Sequence, residues 1–267
     1  MANEPTSEGT HRLVMISEAA RKNHEELFPN HKSTLKVTDP ELIEVFDNFA
    51  FDEVLAHSKL DTKTRVILIL ASIIGSHAVS EFKIMVAAAL NIGVTPIEIK
   101  EILYQSVPYV GMPRAFDFVH ATNDVLAARG VQLPLESQST TDPKTRYDKG
   151  MAVQKEVFGT MIDKMYERSP KDQLHIQRFL SANCFGDYYT RTGLDIKVRE
   201  LITLSILIAL GGVESQIKGH MQGNLNLGHG RDTLLDVITQ LLPWVGYPRT
   251  LNALSCLNEV SPEVITE

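Results

Sequence analysis

"FGDYYTRTGLDIKVRELITLSILIALGG", residues 185–212, decides the fold. Its second part, "KVRELITLSILIALGG", is apolar nearly all round, which predicts a central, enclosed helix rather than one lying on a surface. The glycine pair Gly211-Gly212 is predicted to end that helix. Its first part has been written once before in the chain. "FDEVLAHSKLDTKTR" (51–65) matches "FGDYYTRTGLDIKVR" (185–199) in Phe, an acid two residues later, Leu-Asp, Lys and Arg, at an offset of 134 (185 against 51). Further on, "LNIG" (90–93) matches "LNLG" (225–228), and "QSVPYVGMPR" (105–114) matches "QLLPWVGYPR" (240–249). There the offset is 135 (240 against 105), so one residue has been inserted between the blocks. Ordered matches over this length read as an internal duplication. The predicted domains are residues 1–134 and 140–267. The polar stretch "LPLESQSTTDPKT" (133–145), with its two prolines, is the predicted linker.

The rest of each half also reads as helix. "TPIEIKEILYQSV" opens with Thr95 as N-cap, Pro96 in the first turn and Glu98 three residues after the cap, a capping box. Ile97, Ile99, Ile102, Leu103 and Val107 then form an apolar face at helical spacing. "GRDTLLDVITQLLPW" repeats that pattern, and Asp39 before Pro40 marks another helix start. No alternating strand pattern of any length is present. The predicted fold class is all-α, with short connections between antiparallel neighbours.

Composition narrows the function classes. The chain has 267 residues, 43% hydrophobic and 22% charged, with a net charge of −7. That suits one large or two ordinary domains with real cores. With no basic tract, nucleic acid is not expected as a partner. The start, "MANEPTSEGTHR", lacks the apolar segment of a signal peptide. The greasy runs "VILILASIIG" and "LITLSILIALGG" are too short to span a bilayer, so no membrane association is expected. Cys184 and Cys256 lie far apart with no CxxC partner, which argues against a disulfide framework or a metal site. The expected compartment is a reducing cytoplasm.

"RYDKGMAVQKEVFG", the opening stretch 185–212, "HMQGNLNLG" and "WVGYPRTLNAL" resemble, in order, the carboxymuconolactone decarboxylase family. The likeness covers essentially all of the second half. The first half matches more weakly, through "KTRVILILASIIG" and "AAALNIGVTPIEIKEILYQSVPYVGMPRAFDF". The resemblance implies a tandem two-repeat member with an alkylhydroperoxidase-D-like fold. It also implies a homo-oligomer, a trimer with pseudo-hexameric arrangement. Two chemistries occur in the family: a cofactor-free decarboxylase acting on a carboxylated muconolactone, and a dithiol peroxidase. The peroxidase needs cysteines four and seven residues before its histidine. Before His220 those places hold Gln216 and Val213, and before Met85, its counterpart in the first half, Glu81 and Ala78. Without a thiolate there is no peroxide nucleophile, so the dithiol peroxidase is disfavoured.

Decarboxylation asks for less. In a muconolactone-type substrate the conjugated lactone itself takes up the electron pair, so no cofactor and no metal is expected. The protein must hold the anion and deliver a proton. His220, which falls on the family's histidine ahead of "GNLNLG", is the first candidate proton donor. Glu214 is the second catalytic candidate, against a plainer role as a first-turn acid paired with Lys218. Asp187, in the place of the family's usual Glu, is the third, against a structural cap or ion pair. Arg249 and Arg114, each after proline in matching motifs, are candidate carboxylate binders or salt-bridge residues. Glu200, beside Arg199, reads as a helix-dipole or ion-pair residue. The family usually carries an Arg where this chain has Gly212. With Met85 opposite His220, one competent site per chain is expected, in the second half. The leading expectation is a carboxy-lyase acting on a small carboxylated lactone or related organic acid. Two alternatives remain, a non-catalytic small-molecule-binding or assembly protein and a one-cysteine redox protein using Cys184.

Overall fold

The structure, a computed structural model, describes residues 15–264, and among them there is helix but no strand. Packing divides the chain between Ala56 and His57. In the first unit, α1 (Glu18–Leu27), α2 (Leu35–Thr38) and α3 (Pro40–Asn48) lead into a π-helical turn, Phe49–Glu53. Ser17 organises this unit. Its hydroxyl accepts from the Ala20 amide, capping α1, and donates to Asp52 at 2.7 Å, while Asn23 donates to the Phe51 carbonyl. Helix α3 starts at Pro40, as the sequence predicts, although the Asp39 side chain makes no capping bond.

The second unit holds α4 (Thr62–Gly75), α5 (Val79–Asn91), α6 (Pro96–Val110) and α7 (Met112–Ala128). After the irregular stretch 129–145 come α8 (Arg146–Phe158), α9 (Met161–Arg168) and α10 (Leu174–Phe179). Helix α10 runs into a long π-helical segment, Leu180–Tyr189, followed by α11 (Ile196–Leu210), α12 (Glu214–Asn226), α13 (Arg231–Val245) and α14 (Tyr247–Val260).

The duplicated motifs turn out to be helix starts and turns. The repeated Leu-Asp supplies the N-caps of the two apolar helices: Asp61 accepts from the Thr64 amide and Asp195 from the Val198 amide, both at 2.9 Å. The repeated Val-Gly-X-Pro makes two matching corners. Gly111 (φ 78°) and Gly246 (φ 80°) adopt a left-handed backbone that ends α6 and α13, and a proline in the next first turn starts α7 and α14. The capping box of Thr95 and Glu98 is present. Helices α4 and α11 pack on each other at the centre, and Leu201–Ala209 is buried throughout. The enclosed helix ends at Gly211 (φ 69°), as its glycine pair predicts. Helices α4 and α6 of the first repeat thus share a core with α11 and α13 of the second, and the boundary by packing does not coincide with the boundary by repeat.

One close contact positions the site. Helix α8 lies against the π-helical segment so tightly that a Cβ at Gly150 would sit 1.9 Å from the Ser181 carbonyl oxygen. A Cβ at Gly186 would sit 2.1 Å from the Arg146 carbonyl oxygen. Only glycine permits this approach, which packs Phe158 against Phe185 and Tyr189 and brings Phe158 up to His220 of α12.

Candidate active site

His220 sits one turn and a half into α12, with its side chain 12% exposed. Its Nδ1 lies 2.5 Å from Oε1 of Glu200, a fully buried carboxylate on α11. Tyr109 and Phe158 meet the imidazole edge-on, with ring centroids at 5.7 and 5.4 Å. The ring is therefore wedged between two aromatics and tethered by one nitrogen. A carboxylate only accepts hydrogen bonds, so Glu200 requires the proton on Nδ1. That leaves Nε2 as the nitrogen able to exchange a proton with a ligand.

Hydrogen bonds on every side offset the cost of burying Glu200. Tyr189 donates its hydroxyl proton to Oε2 at 2.7 Å. Because that proton is committed, Thr203 must donate to the Tyr189 oxygen, 2.7 Å away. Gln105 donates to Thr203, and Arg199 donates to Gln105. The donors thus form one directed chain, from a guanidinium to a carboxylate, in which each bond polarises the next. Tyr109 donates to the Tyr189 oxygen at 3.3 Å, and the Cys184 thiol points at the Tyr109 oxygen at 3.6 Å. Burial, then the nearby Cys184 and Glu200, hold the Tyr109 phenol well above its usual range, so it stays a donor. Burial pushes the Cys184 thiol up to about 12, which makes it a poor nucleophile near neutrality. Helix α12 can come this close to Glu200 because residue 223 is glycine.

The other sequence candidates lie elsewhere. Glu214 begins α12, and its carboxylate faces Asn252 on α14. Lys218 is not its partner, since Lys218 pairs with Glu259. Asp187 is held by Arg146 at 2.7 Å and by Asn183 at 2.8 Å, pinning the π-helical segment to α8. Neither acid hydrogen-bonds or ion-pairs with His220 among the described residues. Arg114 and Arg249 are exposed at the starts of α7 and α14. Arg249 donates to the Leu210 carbonyl, and both guanidiniums depress the His77 imidazole, after the larger effect of its burial. They gather around His77 rather than at the Glu200–His220 pair.

Sequence reasoning passed over Glu200, Tyr109 and Tyr189 as site residues. A signal for Glu200 existed: a carboxylate inside a helix that is apolar all round must be buried, and a buried carboxylate needs a partner. Nothing in the sequence marked Tyr109, which comes from the first repeat and stands where the second repeat has Trp244. The first half therefore furnishes a wall of the second half's site within the same chain.

The profile described as "Carboxymuconolactone decarboxylase family" matches the chain twice, at residues 40–124 and 175–259, together more than half its length. The chain belongs to that family. Glu200 and His220 lie in the second matched segment and Tyr109 in the first. As a carboxymuconolactone decarboxylase family member it is similar to a 4-carboxymuconolactone decarboxylase of Acinetobacter baylyi. The two are 29% identical over 116 residues, covering 43% of this chain and 86% of that protein. A solved structure named as a gamma-carboxymuconolactone decarboxylase subunit of Burkholderia xenovorans aligns with a TM-score of 0.49 and 19% identity, over 88% of this chain and 94% of that one. No described helix is long and apolar enough to cross a membrane.

Proposed function

We propose that the chain is a cofactor-independent carboxy-lyase acting on a small carboxylated lactone or related organic acid. The observation that carries this reading is the tethered imidazole of His220, whose Nε2 makes no hydrogen bond among the described residues, between two aromatic rings. Loss of CO2 breaks the bond between the carboxylate carbon and the lactone, and its electron pair moves into the conjugated ring as a dienolate. His220 Nε2–H then gives its proton to the dienolate carbon next to the lactone carbonyl, leaving an enol-lactone, and solvent reprotonates the imidazole. Glu200 is the positioning residue. It fixes the tautomer and balances the imidazolium before transfer. Family membership supports the reaction class, and the curated relative's name supports 4-carboxymuconolactone as the first substrate to try.

The same reading carries a homo-oligomer, a trimer of pseudo-hexameric arrangement, as its assembly. Met112 and Phe116 on α7 and their repeat counterparts Tyr247 and Leu251 on α14 are all exposed, a doubled apolar patch that suits contact with another copy. Sedimentation velocity tests the assembly. CO2 release from 4-carboxymuconolactone tests the activity, in wild type, His220→Ala and Glu200→Gln. Release should collapse in His220→Ala. In Glu200→Gln it should fall about tenfold to hundredfold, the worth of a charge-assisted hydrogen bond. Full activity in His220→Ala removes the assignment. No release from the folded wild type leaves a binding function for this substrate class.

A further inference from the structure

A second polar centre lies under the linker. Residues 133–138 roof a cavity of ≈ 590 Å³ whose floor is Lys100 and Tyr104 of α6 and whose walls are Asn123 of α7 and Arg191. That volume is within the usual range for small-molecule sites, roughly 300–1,000 Å³. The roof is pinned: the Thr192 amide donates to the Gln138 carbonyl at 3.0 Å, and the Thr192 hydroxyl to the Gln138 side chain at 2.6 Å.

The lining charges, Lys100 and Arg191 against Glu101 and Glu136, balance, but the fully buried Arg199 behind them leaves one positive charge over. Glu101 is shared by two guanidiniums, Arg191 on Oε1 and Arg199 on Oε2, each at 2.9 Å. One carboxylate between two guanidiniums leaves one positive charge over. Lys100 adds another and Glu136, exposed at the rim, removes one. Lys100 is the informative group. It is 8% exposed, yet its ammonium donates to the neutral amide oxygen of Asn123, and among the described residues it has no carboxylate partner. A buried ammonium without a counter-ion is costly. Burial accordingly lowers the Lys100 pKa. The other side of the cavity is unsaturated and apolar. The Arg191 guanidinium lies 5.0 Å from the centre of the Tyr104 ring, and Ile97 and Leu135 complete the surface.

We propose that this cavity is a binding site for a small organic carboxylate with a flat, unsaturated body, separate from the His220 centre. The carboxylate pairs with Lys100 and receives the Asn123 amide, and the body lies along Tyr104 and Leu135. The site does not depend on the chain being a decarboxylase.

The test uses 4-fluorobenzoate as probe, followed by fluorine NMR titration of the full chain. Saturable binding is expected in wild type and unchanged in His220→Gln. Lys100→Met should weaken it about tenfold or more, as loss of a charge-assisted hydrogen bond does. Leu135→Trp, which fills the cavity from its exposed roof and leaves the core alone, should block it. The neutral isostere 4-fluorobenzamide should fail to compete. Equal affinity in both cavity variants, loss of binding in His220→Gln, competition by the amide, or no saturation at millimolar probe would each overturn the proposal. Thermal melts establish that each variant is folded.

Discussion

Gly223→Ala places a methyl group against the Glu200–His220 pair, and its neighbour Gly219→Ala provides the control on the same helix. A Cβ at Gly223 would lie 2.7 Å from Glu200 Oε1, 2.7 Å from Val157 Cγ1 and 3.1 Å from Phe158 Cε1. Carbon contacts normally sit at about 3.5–4.0 Å, so roughly an ångström is missing on two sides at once. Glu200 cannot swing aside without leaving His220 and Tyr189, and Val157 is fully buried. Overpacking of this kind costs about 1–3 kcal/mol, against a gain of about 1 kcal/mol from replacing glycine inside a helix. The net is a loss of about 0–2 kcal/mol. At Gly219 a Cβ meets nothing within 4 Å, so only the helix gain remains. The two variants should therefore differ by about 1–3 kcal/mol, or roughly 2–12 °C in melting temperature for a chain of about this size. Thermal unfolding by circular dichroism measures the difference. Gly223→Ala should also depress CO2 release, because Glu200 is displaced from Nδ1. Equal stabilisation by the two alanines would refute the close approach of α12 to Glu200 and the geometry built on it.

Cys184, with its thiol pushed up to about 12, is protonated throughout the neutral range. Native protein at pH 8 should resist iodoacetamide at Cys184 and react in denaturant, and rapid alkylation of the native thiol would restore the one-cysteine redox reading. Asp187→Asn removes a half-exposed bridge to Arg146. It should cost about 1 kcal/mol or less by chemical denaturation and leave CO2 release nearly unchanged, whereas a collapse of activity would return Asp187 to the site. Glu101→Ala strands Arg199, which is fully buried. Denaturant unfolding should show a loss of about 3–5 kcal/mol, and a loss under 1 kcal/mol would contradict the packing of α6 on α11.

Much of the fold was legible because its signals are local. The capping box at Thr95, the glycine pair after Leu210 and the apolar run between them depend on near neighbours in sequence, and the duplication made each signal visible twice. His220 was legible from its motif. The acid that holds it was not, because the choice among Glu200, Glu214 and Asp187 is a matter of which helix faces which. Glu214 is six residues from His220, and Glu200 is twenty residues away on another helix, yet Glu200 makes the contact.

The sequence by itself determined that the chain is helical, that it is doubled, and that an imidazole lacks a first-half counterpart. Those facts follow from backbone capping, apolar periodicity and residue identity, which act over a few positions. Tertiary structure decided the rest. It buried Glu200 beside His220, drew Tyr109 from the first repeat into the second repeat's site, and sent Asp187 to Arg146 instead. The physical reason is burial. A carboxylate removed from water takes whatever donors the packed core presents, and the crossing of helices chooses those donors rather than spacing along the chain.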